Sequence, residues 1–272
     1  MAKSALLKSS LAKKYWMALT GLFLCVFLIG HLAGNLQLIF GDALQFNQYA
    51  VFMTSNPAIK ALSYLTYISI VFHAIDGILL TIQNRNARPI KYVRENGAAN
   101  SSWASRNMAI LGSLILIFIV THMINFWAVM HFDEKMPLQT TNIEVQPGVS
   151  QEFYMTTNGS YLPIDGVDVR NRTEFFDKNA QVKIGDGYKD LHKITFAFFK
   201  DEKFGLIATI LYVISMIVLA FHLSHGFASA FQSLGMNHPK YNGAIRLLGK
   251  GFAILVPLLF AIIPLYIHFI AK

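Results

Sequence analysis

Hydrophobic residues in this chain are gathered into five long runs. Polar residues fall in the short stretches between them and in one long insert. Tyr15–Gly41 carries no charged residue over 27 positions, Asn107–Phe132 none over 26, Phe204–Pro239 none over 36 and Gly251–Ala271 none over 21. Ala61–Asn84 carries one, Asp76. A helix crosses the apolar part of a bilayer with about 20 mainly apolar residues, so each run predicts a spanning helix. The first is too long for the apolar stretch of a cleaved signal and is followed by further spans. The pattern predicts an all-α integral membrane protein with five transmembrane helices. Spans I–III lie within residues 1–132 and spans IV–V within 204–272, one membrane domain overall, with an insert at 133–203 between spans III and IV.

The insert breaks the apolar pattern. Pro147-Gly148, Asn158-Gly159, Asp165-Gly166 and Asp186-Gly187 are turn signals between short stretches such as Ile143-Glu144-Val145 and Glu152-Phe153-Tyr154-Met155. They predict a small hairpin-rich cap. Asn158 and Asn171 open glycosylation-type triplets, which matter only in a glycosylating compartment. The insert shows no catalytic constellation, and its expected role is a structural lid.

Composition agrees with a membrane protein. Hydrophobic residues make up 54% and charged residues 14%, against about 25% charged in an average soluble domain. That excludes a disordered chain, a disulfide scaffold and an ordinary soluble enzyme. The single Cys25 cannot form an intrachain disulfide. The net charge of +8 does not describe a nucleic-acid surface, because 12 of the 15 acids lie between Asp133 and Glu202. With the N-terminus inside, the inner segments 1–14, 85–106 and 240–250 hold twelve bases: Lys3, Lys8, Lys13, Lys14, Arg85, Arg88, Lys91, Arg94, Arg106, Lys240, Arg246 and Lys250. Their only acid is Glu95. The outer segments hold eleven bases and thirteen acids. This asymmetry puts the N-terminus inside, the C-terminus outside and the insert on the outer side.

The candidate chemistry lies in the histidines. His31, His73, His122, His222 and His225 fall inside spans, while His131, His192, His238 and His268 fall in loops or near span ends. An ionisable side chain in a bilayer is costly and marks a candidate functional site. Depth sorts the buried ones. His31 lies 17 residues beyond Lys14 and 11 before Asp42; His122 lies 16 beyond Arg106 and 11 before Asp133. These two share a level in the outer half. His222 comes 19 residues after Lys203, which is about 28 Å of helix at 1.5 Å per residue, toward the inner half. His73 lies near the centre of span II, 13 residues after Lys60 and 12 before Arg85, and pairs with His222 by elimination. Two pairs at two levels suit two stacked bis-histidine haems in a helix bundle. Gly30 and Gly34 flank His31, and Gly77 and Gly226 each follow a histidine by four residues. They serve a porphyrin slot or close helix packing equally well. A zinc site prefers four ligands at one point, and a proton relay would not need matched depths.

These residues resemble a known family. The stretches Phe27-Leu28-Ile29-Gly30-His31-Leu32, Phe72-His73-Ala74-Ile75-Asp76-Gly77, Val120-Thr121-His122 and Phe221-His222-Leu223-Ser224-His225-Gly226 are similar to the dihaem cytochrome b membrane-anchor subunit of succinate:quinone oxidoreductases. That family comprises succinate dehydrogenase and fumarate reductase (complex II). The resemblance covers all five spans; the large outer insert departs from compact members. It implies a subunit of a bacterial cytoplasmic membrane that carries no catalysis alone. Such a subunit anchors a flavoprotein and an iron–sulfur subunit on the inner face and passes electrons through two b haems to a quinone. The dihaem type implies menaquinone. On this resemblance His222 matches the family's ligand position, with His225 one turn deeper as the alternative. His73 and His222 then serve the proximal haem, and His31 and His122 the distal one.

Further candidates follow. Arg106 could pair with a haem propionate or act as an anchor at the inner membrane surface. Asp76 could bond a propionate, carry a proton or pack. The inner bases could bind anionic lipid or a docked partner. Asn47-Gln48-Tyr49 could line a quinone entrance or anchor at the interface. Two other functions compete: the dihaem anchor of a nitrate reductase or hydrogenase, and a transporter using intramembrane histidines. The latter would favour an inverted repeat with broken helices, and none is visible apart from Pro257 and Pro264 in span V.

Overall fold

A computed structural model of the chain describes residues 9–87, 89–90 and 96–271. Lys3, Lys8, Arg88, Lys91, Arg94 and Glu95 of the inner rim lie outside the described residues. The described residues are 70% helical. Five helices are long and apolar enough to span a membrane: Ser10–Phe40, Pro57–Asn86, Met108–Phe132, Gly205–Ser233 and Pro239–Phe269. The first contains a break at Leu36, between the helical stretches Ser10–Asn35 and Gln37–Phe40. The third turns π-helical over Met123–Ala128. A multi-pass membrane protein follows from these lengths and compositions.

Local chemistry sets the helix ends. Pro57 and Pro239 occupy the first helical position of spans II and V, where a missing N–H costs nothing. The Asn56 side chain accepts from the Ala58 N–H at 2.9 Å. Span IV ends at a left-handed glycine, Gly235 with φ +82°. There the Met236 N–H bonds Phe231 O at 3.0 Å and the Gly235 N–H bonds Gln232 O at 3.1 Å, a Schellman stop. Span V starts twelve residues before its charge-free window, because Arg246 and Lys250 ride exposed on its first turns. A helix is free to continue past the apolar window where charged side chains point away from the packing.

The chain splits into two compact units. The first comprises Met1–Ala33, Ala61–Val120 and Thr209–Leu265, so it contains most of every span. Its spans are polar or small toward the interior and large and apolar toward the outside. In span II, Thr66, Ser69, Asp76 and Leu80 are buried, while Ile68, Val71, Phe72, Ile75 and Ile82 are exposed. In span IV the buried residues are Thr209, Met216, Leu223 and Ala230, one every seven positions, the repeat of a packed helix seam. A core of Cys25, Leu223 and Ala253 packs with Leu28, Leu219, Phe227 and Phe252. Apolar side chains turned outward, such as Val26 at 66% exposure and Ile117 at 61%, are what a lipid solvent accepts.

The second unit comprises Gly34–Lys60, Thr121–Ala208 and Tyr266–Lys272. The expected hairpins are present as two three-stranded antiparallel sheets, β1 (Thr140–Gln146), β2 (Val149–Met155) and β3 (Tyr161–Pro163), then β4 (Val167–Arg170), β5 (Glu174–Asp177) and β6 (Lys183–Asp186). Pro147-Gly148 closes β1 on β2, with Gly148 at φ +79°, as a type II turn requires. The β4–β5 turn uses Asn171 and Arg172 at φ +48° and +69°. At the sheet core Phe175 is fully buried and stacks on Tyr154 at 4.8 Å. Two helices not expected from the sequence join this unit: Ala43–Ser55, capped by Asp42, and Leu191–Lys200, capped by Asp190. The unit that contains the insert also takes in the connection after span I and the ends of spans III and V.

Candidate functional site

Within the first unit, spans II and IV bring His73 and His222 together. Their ring centres are 6.2 Å apart, with the ring planes at 65°. The helical periodicity of span II explains the placement: Thr66, Ser69, His73, Asp76 and Leu80 follow at alternating steps of three and four, which puts them on one helix face, and four of the five are buried. His222 sits beside Leu223 on the buried seam of span IV. The depth pairing of these two histidines therefore corresponds to real proximity.

Span I supplies the other wall around His73. Thr20 Oγ1 lies 3.2 Å from His73 Nδ1. A methyl group added at Gly21 would stand 3.2 Å from His73 Cε1, closer than an ordinary van der Waals contact. On the His222 side, a methyl at Gly112 of span III would lie 3.9 Å from Cε1. Among the described residues, His222 Nδ1 is the buried side-chain N or O atom with no hydrogen-bond partner. Leaving such an atom unsatisfied costs about 1–3 kcal/mol, and native structures that do so usually reserve it for a ligand or a function.

The geometry can be tested against a metal held between the rings. Two imidazoles bound from opposite sides of one ion, at about 2.0–2.1 Å per metal–nitrogen bond, have ring centres about 6.2–6.4 Å apart. The observed 6.2 Å agrees. Among the described residues no group of three or more His, Cys, Asp or Glu could hold a metal. A pair of imidazoles is the set that a porphyrin iron takes from a protein, since the macrocycle brings four nitrogens of its own. The residues present fit that group.

The other candidates are distributed as follows. His225 is half-buried one turn beyond His222. Asp76 is 9% exposed, with Lys13 and His73 as the titratable groups acting on it. Arg106 donates from Nη1 to the backbone carbonyls of Gly97, at 3.0 Å, and of Ser101, so it clasps the turn Gly97–Ser101 just before span III. His31 stacks on Phe27 at 5.3 Å and tilts against Phe260 at 5.7 Å. His122 belongs to the second unit. It sits where the π turn begins, 5.4 Å from the Phe126 ring, and Phe126 in turn meets Phe198 at 5.2 Å. The four flanking glycines divide. A methyl at Gly30 or Gly226 would meet nothing within 4 Å, one at Gly77 would make an ordinary contact with Met17, and one at Gly34 would collide with Tyr49 at 2.5 Å. Gly34 is thus a packing glycine, while Gly30 and Gly226 leave open space.

Asn47, in the stretch after span I, is a hydrogen-bonding hub. It is fully buried, and its Nδ2 donates to Gln139 Oε1 and to Asp190 Oδ1, the latter at 2.8 Å. Its Oδ1 accepts the His192 N–H at 3.1 Å. One amide therefore ties helix Ala43–Ser55 to the insert. Arg172 and Lys189 donate to the His131 and Met130 carbonyls at the end of span III, the end where helices favour cations. Burial, with Arg172 nearby, pushes the Lys189 ammonium below its ordinary value.

Sequence reasoning missed Thr20, Gly21, Gly112 and the Asn47 hub. A signal for the glycines was present: Gly21 lies seven residues beyond Lys14 and Gly112 six beyond Arg106, matched in depth on spans I and III. Thr20 carries no comparable mark, because hydroxyls are common near span ends, and Asn47 stood out only as part of the Asn47-Gln48-Tyr49 stretch, with nothing to show its partners. Comparisons with models of known protein families, with curated proteins and with solved structures return no match to this chain.

Proposed function

We propose that the chain is the cytochrome b membrane-anchor subunit of a succinate:quinone oxidoreductase. In this reading it holds two b haems and relays electrons between an iron–sulfur subunit and membrane quinone. One observation carries the reading: the His73 and His222 rings of spans II and IV lie 6.2 Å apart, centre to centre, with an unpartnered buried nitrogen on His222. It is supported by five spans and by the resemblance of the histidine-bearing stretches to that family.

A b haem bound between these rings would supply one-electron transfer at a potential set by its ligands and their hydrogen bonds. The chain's own residues do the rest. His73 and His222 would hold the proximal iron. Gly21 and Gly112 admit their rings, and the apolar outer faces of spans II and IV keep lipid around the site and water away. Asp76, buried one turn from His73, is a negative charge or a proton carrier beside that haem. For the second haem the reading rests on the matched sequence depths of His31 and His122. The inner basic segments would receive the flavoprotein and iron–sulfur subunits and anionic lipid. Orientation follows the lysine and arginine count, with the N-terminus in a bacterial cytoplasm.

The test is a reduced-minus-oxidised spectrum of the membrane protein purified from its native host. Two b haems per chain, with succinate-reducible absorbance and a co-purifying flavoprotein, are expected. A colourless preparation refutes the haem reading. Two haems with a molybdenum or nickel–iron partner in place of a flavoprotein would assign the chain to a nitrate reductase or hydrogenase.

A further inference from the structure

We propose that Thr20 and Gly21 on span I form a seat that holds His73 as its Nδ1–H tautomer and leaves Nε2 as the ligating nitrogen. The inference rests on the bis-histidine reading above.

A proton count carries it. A threonine hydroxyl has one hydrogen and an imidazole in its neutral form has one N–H. Thr20 Oγ1 lies 2.7 Å from the Trp16 carbonyl and 3.2 Å from the Met17 carbonyl. Carbonyls only accept, so the hydroxyl hydrogen is committed to the helix backbone. At the 3.2 Å contact with His73 Nδ1 the threonine oxygen can then only accept, and Nδ1 must carry the hydrogen. With Nδ1 protonated, the lone pair lies on Nε2.

Sterics hold the ring in the same place. The added methyl at Gly21 would come within 3.2 Å of Cε1 and 3.7 Å of Nδ1, so a larger residue there would press the imidazole edge away from span I. Thr20 supplies the acceptor and Gly21 the space, on adjacent positions. A partner on the outer nitrogen orients a metal-ligating histidine and raises its basicity, and its loss typically costs 10–100-fold in metal affinity.

Thr20 and Gly21 are positioning residues, and the experiment reads more than turnover. Thr20→Val keeps the shape and removes the acceptor; Thr20→Ser restores it; Gly21→Ala closes the space. In the purified complex, Thr20→Val should raise the midpoint potential of one haem, weaken its retention by about 10–100-fold and leave the other haem unchanged, with Thr20→Ser close to wild type. Unchanged potentials and retention in both Thr20→Val and Gly21→Ala would overturn the proposal, as would a Thr20→Ser variant as defective as Thr20→Val. The imidazole nitrogen-15 shifts of His73, assigned by difference against His73→Gln, report the tautomer with or without haem. An Nδ1–H signature supports the seat and an Nε2–H signature sinks it. A protein without haem that shows the Nδ1–H form refutes the bis-histidine reading while leaving the seat intact.

Discussion

Replacing Asn47 by aspartate changes one NH₂ group into an oxygen and leaves shape almost untouched. In the wild type that NH₂ donates to Gln139 Oε1 and Asp190 Oδ1, and the site is closed to solvent. The substitution removes a neutral hydrogen bond worth about 1 kcal/mol and one to a charged group worth about 1.5–3 kcal/mol. It also faces a new carboxylate with two acceptors, one of them Asp190 at 2.8 Å. Two carboxylates that close cannot both stay ionised, so the pair must take up a proton at neutral pH. The expected cost is about 3–5 kcal/mol, largest at high pH. Asn47→Ala loses the same two donations without the charge conflict, but also loses the acceptor of the His192 N–H. Because Asp190 caps helix Leu191–Lys200 and Asn47 also holds the His192 N–H, that helix should open first. Hydrogen exchange of Leu191–Lys200 in the detergent-solubilised protein should quicken by about 10²–10⁴-fold in Asn47→Asp, since each 1.4 kcal/mol is tenfold. Acidification toward pH 5 should narrow the gap to wild type, as a protonated aspartate regains a donor. Exchange in Asn47→Asp equal to wild type at neutral pH, or a gap that does not depend on pH, would refute the donor role assigned to Asn47.

Other outcomes follow from the same structure. His73→Ala and His222→Ala should each remove the same one of two haems, and the double variant should lose no more than either single, as read by haem content and spectrum. Loss of different haems would break the pairing. Gly187→Ala places a methyl 2.4 Å from the ring of the fully buried Phe175. It should cost about 1–3 kcal/mol and expose the insert to limited proteolysis. Burial holds the His192 imidazole below its ordinary value of 6.5, against the pull of Asp190 and Asp42. Below pH 6.5 the unfolded chain therefore binds a proton that the folded helix does not, and stability falls as pH falls through that window, with no change above it. Thermal unfolding of wild type against His192→Gln from pH 8 to 5 should show this slope only in wild type.

Much of the fold was legible along the chain. The spans are visible because a charge in hydrocarbon is expensive at each position separately, so composition within a window suffices. Hairpin turns were visible at Pro147-Gly148 and Asn158-Gly159 because proline and glycine act on their own backbone. The Asn171-Arg172 turn escaped, since neither residue needs a left-handed conformation elsewhere. The early start of span V escaped as well, because Arg246 and Lys250 hide a helix from any charge-free window. Helix Leu191–Lys200 lies within a polar segment and is short, and its reason to exist is packing against Phe126 and capping by Asp190.

The candidate site divides in the same way. Sequence alone determined how many spans there are and which of them carry histidines. It also determined the depth of each histidine, because position along a helix of known rise is a one-dimensional quantity. Tertiary structure decided what depends on rotation about the helix axis. It set His73 opposite His222, put Thr20 and Gly21 against the His73 ring, and left His222 Nδ1 without a partner. Those facts require several helices to pack at once, and no single stretch of residues contains them.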